Sequence, residues 1–447
     1  MTRPQPPADT LDCTQSSRDW RRAWLTDLRT RVFERGEPFV VADGVAPHEI
    51  AHVMDVPVVS VPWYSAVISA KRMSRFYFDY LEEQGYHDGL PRYISLPMAS
   101  AMHGDPDVAP YGGLPRPAYM LSRLRGDAGQ RVMDLWARAL DCPQYVLDAS
   151  SDETLYPRWW EKNRHEWEEL YGTHRLDFQV EQIEGLIAFT EKQLGRKFDY
   201  DVFADQMRRV NELGEAADEA KQVLAAAPKL PVAVPEQLQN IMTPTWFRGD
   251  QWATDHVRRY RDELKEAVAR GVAACEGEKM RLLWLNNGLW HDTGFYRAFE
   301  ESHGAVFVWT MYTNFLSDGY RKYGDDPVRA LAARHISMNE QLHTNPWMSE
   351  WILQMAKDFR ADGAVMLTPQ GDRMQAYGTR GTINACEKAG LPVIEISASM
   401  VDERSWNREE MERRVGTFLD ERVAPIAAAR RDREASEGIR AMESGTV

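Results

Sequence analysis

Cysteine is scarce in this chain. Four thiols occur in 447 residues (Cys13, Cys142, Cys275 and Cys386), and no two form a Cys-x-x-Cys pair. Disulfides are not expected of a cytosolic chain, so the thiols read as buried or incidental, small hydrophobes in practice; Cys13 falls in a polar stretch expected to be a disordered tail. No apolar stretch approaches the roughly 18 residues that suggest a membrane span. The first ten residues are proline-rich and polar, without the apolar segment of a secretory signal, and a cytoplasmic protein with no membrane partner is expected. Basic residues are in deficit: 54 Lys and Arg against 68 Asp and Glu give a formal net charge of -14. Nonspecific binding to nucleic acid or an anionic membrane is disfavoured. A local basic pocket for a phosphorylated ligand remains compatible with that balance.

Generic catalytic motifs are missing too. There is no Gly-x-Gly-x-x-Gly after a strand, no Walker loop, no Gly-x-Ser-x-Gly elbow and no His-Glu-x-x-His. The eleven histidines do not cluster at metal-ligand spacing, and no metal is expected. His48 and His52 lie four apart and could share a helical face, but no third ligand is close in sequence.

What is present suits a globular protein of two or three domains, with 43% apolar and 27% charged residues. Short apolar runs at 38–42, 57–61, 118–121 and 144–147 have the length of buried strands. Helical stretches at 48–54 and 130–140 lie between them. The plan repeats in the last third. Runs at 280–285, 305–311, 364–367 and 392–396 are separated by helical periodicity at 295–302, 348–360 and 379–389. Alternating strand and helix predicts an α/β fold: two doubly wound parallel-sheet domains of about four strands each, joined by a helical middle. The expected boundaries are a tail and helix start at 1–30, the first α/β domain at 31–155, the helical region at 156–278, the second α/β domain at 279–425 and a charged tail at 426–447. Within the middle, 176–194 and 200–227 read as helices, and Pro228, Pro231 and Pro235 break the pattern.

Open parallel sheets bind ligands beyond the carboxyl ends of their strands. That rule selects loops at 60–64, 122–127 and 149–153 in the first half, and at 286–292, 312–314, 368–373 and 397–404 in the second. Facing one another, the two sets would line an interdomain cleft. Trp290, His291 and Asp292 follow a buried strand, where a His–Asp pair could do acid–base work or order the loop. Ser60, Ser122, Ser150 and Ser151 could donate hydrogen bonds at strand ends, or cap helices.

Several stretches, in order, resemble the cluster-binding subunits of 2-hydroxyacyl-CoA dehydratases and class I benzoyl-CoA reductases. Residues 279–309 (KMRLLWLNNGLWHDTGFYRAFEESHGAVFVW) resemble that family's strand, loop, helix and Gly-Ala strand. Residues 352–378 resemble the segment that normally carries Ser-Cys-Arg, residues 390–421 its Asp-x-x-Asp-x-Arg and following helix, and residues 186–212 its linker helices. The likeness runs over about 38–425. It implies an acyl-CoA thioester as substrate and a homologous partner subunit, or a second copy of this chain. It implies pairing through the helical middle, rich in Trp159, Trp160, Trp167 and Trp246.

In that family three cysteines hold an iron–sulfur cluster. At the matching positions this chain has Ser95 in YISLPMASAMHG, Gly126 before Asp127 in RLRGDAGQ, and Asp372 before Arg373. Iron–sulfur clusters are held by thiolates, so no cofactor is expected in this chain, and a [4Fe-4S] cluster is left to a partner subunit. Glu49, in APHEIAHVMDVPV, matches a family glutamate that approaches substrate. The candidate acid–base residues are therefore Glu49, Asp127, His291 and Asp372. Ser95, Gly126, Trp290, Arg373 and Arg404 are the candidate substrate contacts. Arg373 could offer a planar fork to a phosphate or carboxylate; Arg404 could do so, or clamp Asp402. Three functions stay open: a cluster-free subunit of a dehydratase or reductase complex, a non-redox acyl-CoA lyase or hydratase, and a noncatalytic scaffold.

Overall fold

A computed structural model describes residues 10–443 except 125, 149, 151, 153, 155, 341, 373–375 and 377, with the backbone alone at 127, 339–340 and 438–443. Eight strands form where the short apolar runs fall. Four make the first sheet: β1 (Val40–Ala42), β2 (Val58–Ser60), β3 (Tyr119–Arg123) and β4 (Gln144–Leu147). Four make the second: β5 (Met280–Asn286), β6 (Ala305–Thr310), β7 (Gly363–Pro369) and β8 (Val393–Ala398). Both sheets are wholly parallel, and their orders correspond, β2-β1-β3-β4 and β6-β5-β7-β8. In each, the order reverses direction between the first and third strand, which opens a crevice at their carboxyl ends.

The side-chain period of two sorts each strand between cores. Val40, Ala42 and Leu121 of the first sheet point into the same core as Leu283, Leu285 and Met366 of the second. Their neighbours Val41, Val59 and Met120 face a separate core on the far side of the first sheet. Leu282, Trp284 and Val365 do the same beyond the second. The shared core is completed by the helical middle.

Helices cover these faces. Around the first sheet run α1 (Asp12–Arg29), α2 (Glu49–Val53), α3 (Val61–Ala70), α4 (Ser74–Glu83), α5 (Arg92–His103) and α6 (Asp127–Ala139). The middle holds α7 (Trp159–Lys162), α8 (Trp167–Tyr171), α9 (Thr173–Leu194), α10 (Tyr200–Ala226), α11 (Val234–Trp246) and α12 (Gln251–Ala269). The expected helix at 200–227 is α10; Asp199 starts it by accepting hydrogen bonds from Asp201 N and Val202 N. Pro235 opens α11 at a position that needs no N–H donor. Around the second sheet lie α13 (Glu300–His303), α14 (Pro327–Glu340), α15 (Trp347–Asp358), α16 (Thr379–Lys388), α17 (Arg408–Phe418) and α18 (Ala424–Glu443). The periodicity at 295–302 resolves into a 3-10 turn followed by the short α13. No helix among the described residues is long and apolar enough to cross a membrane.

Two expectations are corrected. Cys13 does not sit in a loose tail: it lies in the first turn of α1, fully buried, with its N–H donating to Glu263 at 2.9 Å and its thiol to Asn240 at 3.5 Å. The tryptophans expected on a pairing surface are mostly internal. Trp159, Trp160 and Trp167 are buried, and two of them spend their indole N–H groups inside the chain, Trp159 on Trp347 O and Trp167 on Tyr323 O. Trp246 is partly buried and packs against all three cores.

Candidate functional site at the seam of the two sheets

The carboxyl ends of β5, β7 and β8 meet α3, α4 and α5 of the first domain along one seam. The local chain explains how the side chains reach it. Gly371, at φ +77°, turns the backbone after β7, and a Cβ there would lie 3.1 Å from the Arg92 side chain. The next residue, Asp372, enters the interior at 4% exposure. Its Oδ1 accepts from the Tyr93 N–H, in the first turn of α5, at 3.0 Å; its Oδ2 has no hydrogen-bond partner among the described residues. Burial raises the Asp372 carboxyl to about 7, against the opposing effects of the Tyr93 N–H and the Arg92 charge.

Ser95 lies two residues further along α5, at 1% exposure, its hydroxyl facing Arg92 O at 3.5 Å. Arg92 itself pairs with Asp402, which also takes a two-pronged contact from Arg404, Nε to Oδ1 at 2.9 Å and Nη2 to Oδ2 at 3.0 Å. Arg404 continues to Asp79 of α4 at 3.0 Å. His291 turns Nε2 to Ser399 O at 3.0 Å, and its Nδ1 has no hydrogen-bond partner among the described residues. Burial lowers its pKa. Asp292 is engaged with the Trp406 indole at 2.9 Å and Arg408 at 2.7 Å. Trp290 is tied by its backbone N–H to Met400 O after β8, and its ring packs against the outer cores of both sheets.

The remaining expected residues lie as follows. Gly126 is extended (φ 167°) and immediately precedes α6, whose first residue is Asp127. The side chain of Asp127 and all of Arg373 and Ser151 fall outside the described residues. Ser122 bonds Gln130 and Gln144, and Ser150 accepts from Arg175. Glu49 begins α2 at 0% exposure between two guanidiniums, 2.7 Å from Arg248 Nε and 2.7 Å from Arg334 Nη2. Burial alone would raise its pKa; Arg248 and Arg334 outweigh that and hold it at about 2. His48 and His52 flank this cluster, with His48 on Asp43 O at 2.9 Å.

Sequence reasoning passed over Arg92, Arg72, Arg248 and Arg334. Arg72 donates to His291 O at 3.1 Å across the seam. No local pattern marks these arginines, because their partners are distant in sequence.

A doubly wound pair of parallel sheets with polar residues gathered at the carboxyl ends of both is the architecture of a cleft-binding α/β protein. The family is more specific. The chain belongs to the 2-hydroxyglutaryl-CoA dehydratase, D-component family, whose model matches residues 44–421. Among curated proteins it is similar to the lactoyl-CoA dehydratase subunit alpha of Anaerotignum propionicum, at 22% identity over 415 residues, covering 88% of this chain and 93% of that protein.

The residues at the three matching positions do not fit an iron–sulfur cluster. Where the resemblance places thiolates there are a buried hydroxyl, a glycine and a carboxyl raised toward neutrality. The four cysteines lie elsewhere, all buried. Cys142 precedes β4 at its amino end, Cys275 contacts Glu300 O at 3.3 Å, and Cys386 is within α16. Burial raises the Cys142 thiol to about 11 and the Cys386 thiol to about 12, so both stay protonated at neutral pH. Among the described residues no three His, Cys, Asp or Glu side chains are grouped to hold a metal ion.

Proposed function

We propose that this chain is a subunit of a 2-hydroxyacyl-CoA dehydratase-type complex that holds an acyl-CoA thioester at the seam between its two sheets and carries no iron–sulfur cluster of its own. The family and the lactoyl-CoA dehydratase subunit support the class of complex. The observation that carries the cluster-free reading is the donor set Ser95, Gly126 and Asp372. The redox group is assigned to a homologous partner subunit, where it supplies the single electron this chemistry needs. The residues of this chain bind and orient: Asp372, its carboxyl raised to about 7 by burial, would donate in its neutral form through Oδ2 to the thioester carbonyl oxygen, and Trp290 would exclude water. Asp372 also favours a second reading, acid–base lyase or hydratase chemistry by this chain alone.

The test is iron and acid-labile sulfide on anaerobically purified protein, alone and with a co-purifying homologue. Iron only in the complex is expected. Stoichiometric iron and sulfide in the isolated chain would overturn the reading. Turnover of an acyl-CoA by the isolated, iron-free chain would move the assignment to the second.

A further inference from the structure

A recess lies on the first domain between α1, β2 and α3. Leu25 and Leu28 of α1, Trp63 of α3, Phe33 and Leu114 wall it, and the 3-10 turn Pro110–Gly112 completes the lining. Two of its rings are left to water: Phe33 is 44% exposed and Tyr111 38%. Tyr111 is held at φ +57°, followed by glycines at +87° and +82°. A bulky residue takes that conformation only with strain, and such strain gathers where ligands bind. The turn is fixed from below, where Tyr64 donates its hydroxyl to Pro110 O at 3.0 Å.

Three cations attend this turn. Lys71, just after α3, sets Nζ 5.1 Å from the Tyr111 ring centroid, within cation–π range. Arg29 lies against the turn itself: a Cβ on Gly112 would stand 3.2 Å from its Nη1. Arg21, two turns earlier in α1, is weakened as a cation by burial and by its neighbours Arg18 and Arg22, and only Tyr111 supports its charge. Its hydrogen bond goes to a neutral amide, Gln239 Oε1, at 3.2 Å. Among the described residues none of these three forms an ion pair. Their neighbours in the chain do: Arg22 pairs with Asp19, and Arg31 with Glu37 and Asp55. Of the acids just before the turn, Asp105 takes the Asp107 N–H at 2.9 Å. In a chain of net charge -14, three cations without carboxylates around one exposed ring make a local basic site.

We propose that this recess binds a purine nucleoside polyphosphate, its base among the rings at Tyr111 and Phe33 and its phosphates on Arg21, Arg29 and Lys71. A base offers a flat apolar face to aromatic rings, and phosphates supply the counter-charges that the cations lack. An apolar ligand would leave the cations unanswered, and a bare phosphate would leave the rings in water. The site adjoins the seam. Arg72, next to Lys71, donates to His291 O at 3.1 Å, and Ser69 to Val401 O at 3.2 Å. Two sources offer this chemistry, the nucleotide end of a CoA thioester and a free nucleotide. The first rests on the thioester reading above; the site itself does not.

Calorimetric titration of the full chain with ADP, CoA and lactoyl-CoA tests this. ADP should bind to the parent, and CoA at least as tightly. The double variant Arg29→Gln, Lys71→Gln removes two exposed cations that hold no ion pair, so its thermal unfolding should match the parent's. It should weaken ADP and CoA roughly tenfold or more and reduce the salt dependence of binding. Tyr111→Gly removes the ring and relieves the backbone, and should weaken both ligands too. Arg138→Gln makes the same charge change on α6, at a residue paired with Asp134, and should leave affinity within about twofold. Photolabelling of the unmutated chain with 8-azido-ADP depends on no variant. Its adducts should fall within 21–34, 59–72 or 110–114. No ADP binding, parental affinity in the double variant, or adducts confined to other segments would each overturn the site. Lactoyl-CoA held at parental affinity by the double variant would overturn the site and leave the thioester reading standing. ADP bound by the parent and lost in the variant, with lactoyl-CoA bound by neither, would keep the site and remove the thioester assignment.

Discussion

Asp372 and Tyr93 stand 279 positions apart in sequence and meet at 3.0 Å, a carboxyl oxygen of one domain on a helix N-terminal N–H of the other. The contact satisfies one oxygen and leaves the other buried, without a hydrogen-bond partner among the described residues. A carboxylate so placed favours its neutral form, which is why its pKa rises from 3.8 to about 7.

That shift fixes a direction for stability. The folded pKa lies above the unfolded one, so the fold is favoured fully below about 3.8 and the contribution is lost as pH rises through about 7. Three pKa units correspond to about 4 kcal/mol as an upper figure. Asp372→Asn keeps the shape and removes the ionisation. Urea unfolding from pH 4 to 8 should show the variant gaining on the parent as pH rises, with the largest difference above pH 7. A constant difference across that range would show that Asp372 is ionised in the fold.

Glu49 makes the opposite case. Its carboxylate is fully buried but paired with Arg248 and Arg334, whose guanidiniums lie 5.2 and 5.3 Å from the Tyr320 ring. Removing one partner from a buried ion pair costs about 3–5 kcal/mol, because the remaining charge is stranded. Glu49→Gln strands two cations. Thermal and urea unfolding should register a loss of that size. A variant of unchanged stability would point instead to a role for Glu49 at the ligand.

The strands were legible because strands buried on both faces are written as continuous apolar runs; Met280–Asn286 is buried throughout. The helix α1 was not. Its buried residues are Cys13, Thr14, Ser17 and Leu25, small or polar side chains that leave no apolar stripe to read. The loops of the site followed from the parallel topology, which places Asn286, Asp372 and Ser399 at one edge. The Asp402–Arg404 clamp was visible because its members are two residues apart. Arg92 and Arg248 were not, since the carboxylates they neutralise are 310 and 199 positions away. Sequence spacing carries helix faces and turns; it carries nothing about charges brought together by two separate domains.

Gly304 tests the backbone at the entrance to β6. It ends α13 at φ +63°, and a Cβ there would lie 2.2 Å from Gly277 O. The backbone conformation alone costs a non-glycine residue about 1–3 kcal/mol, and the collision is with backbone rather than a movable side chain. Gly304→Ala should lower the unfolding midpoint clearly. Retention of the parent midpoint would mean that the 277–279 turn shifts at little cost.

Three buried histidines set the acid limit. Burial lowers His335 to about 3, and His52 and His256 to about 4, from 6.5. His335 faces the charges of Arg123 and Asp43 and the backbone of Asp148. The folded pKa values are depressed, so these groups support the fold fully above about 6.5. That support is lost as pH falls toward the folded values, because the unfolded chain takes protons that the fold refuses. The trend opposes that of Asp372 over the same interval. Unfolding of the parent, His335→Gln, Asp372→Asn and the double variant at pH 4.5, 6 and 7.5 separates them. His335→Gln should recover stability relative to the parent as pH falls from 6.5, by up to about 3 kcal/mol at pH 4.5, two units below the free value, while Asp372→Asn loses its advantage over the same range. If His335→Gln tracks the parent at every pH, the ring titrates in the folded chain as it does in the unfolded one, and burial does not oppose its protonation.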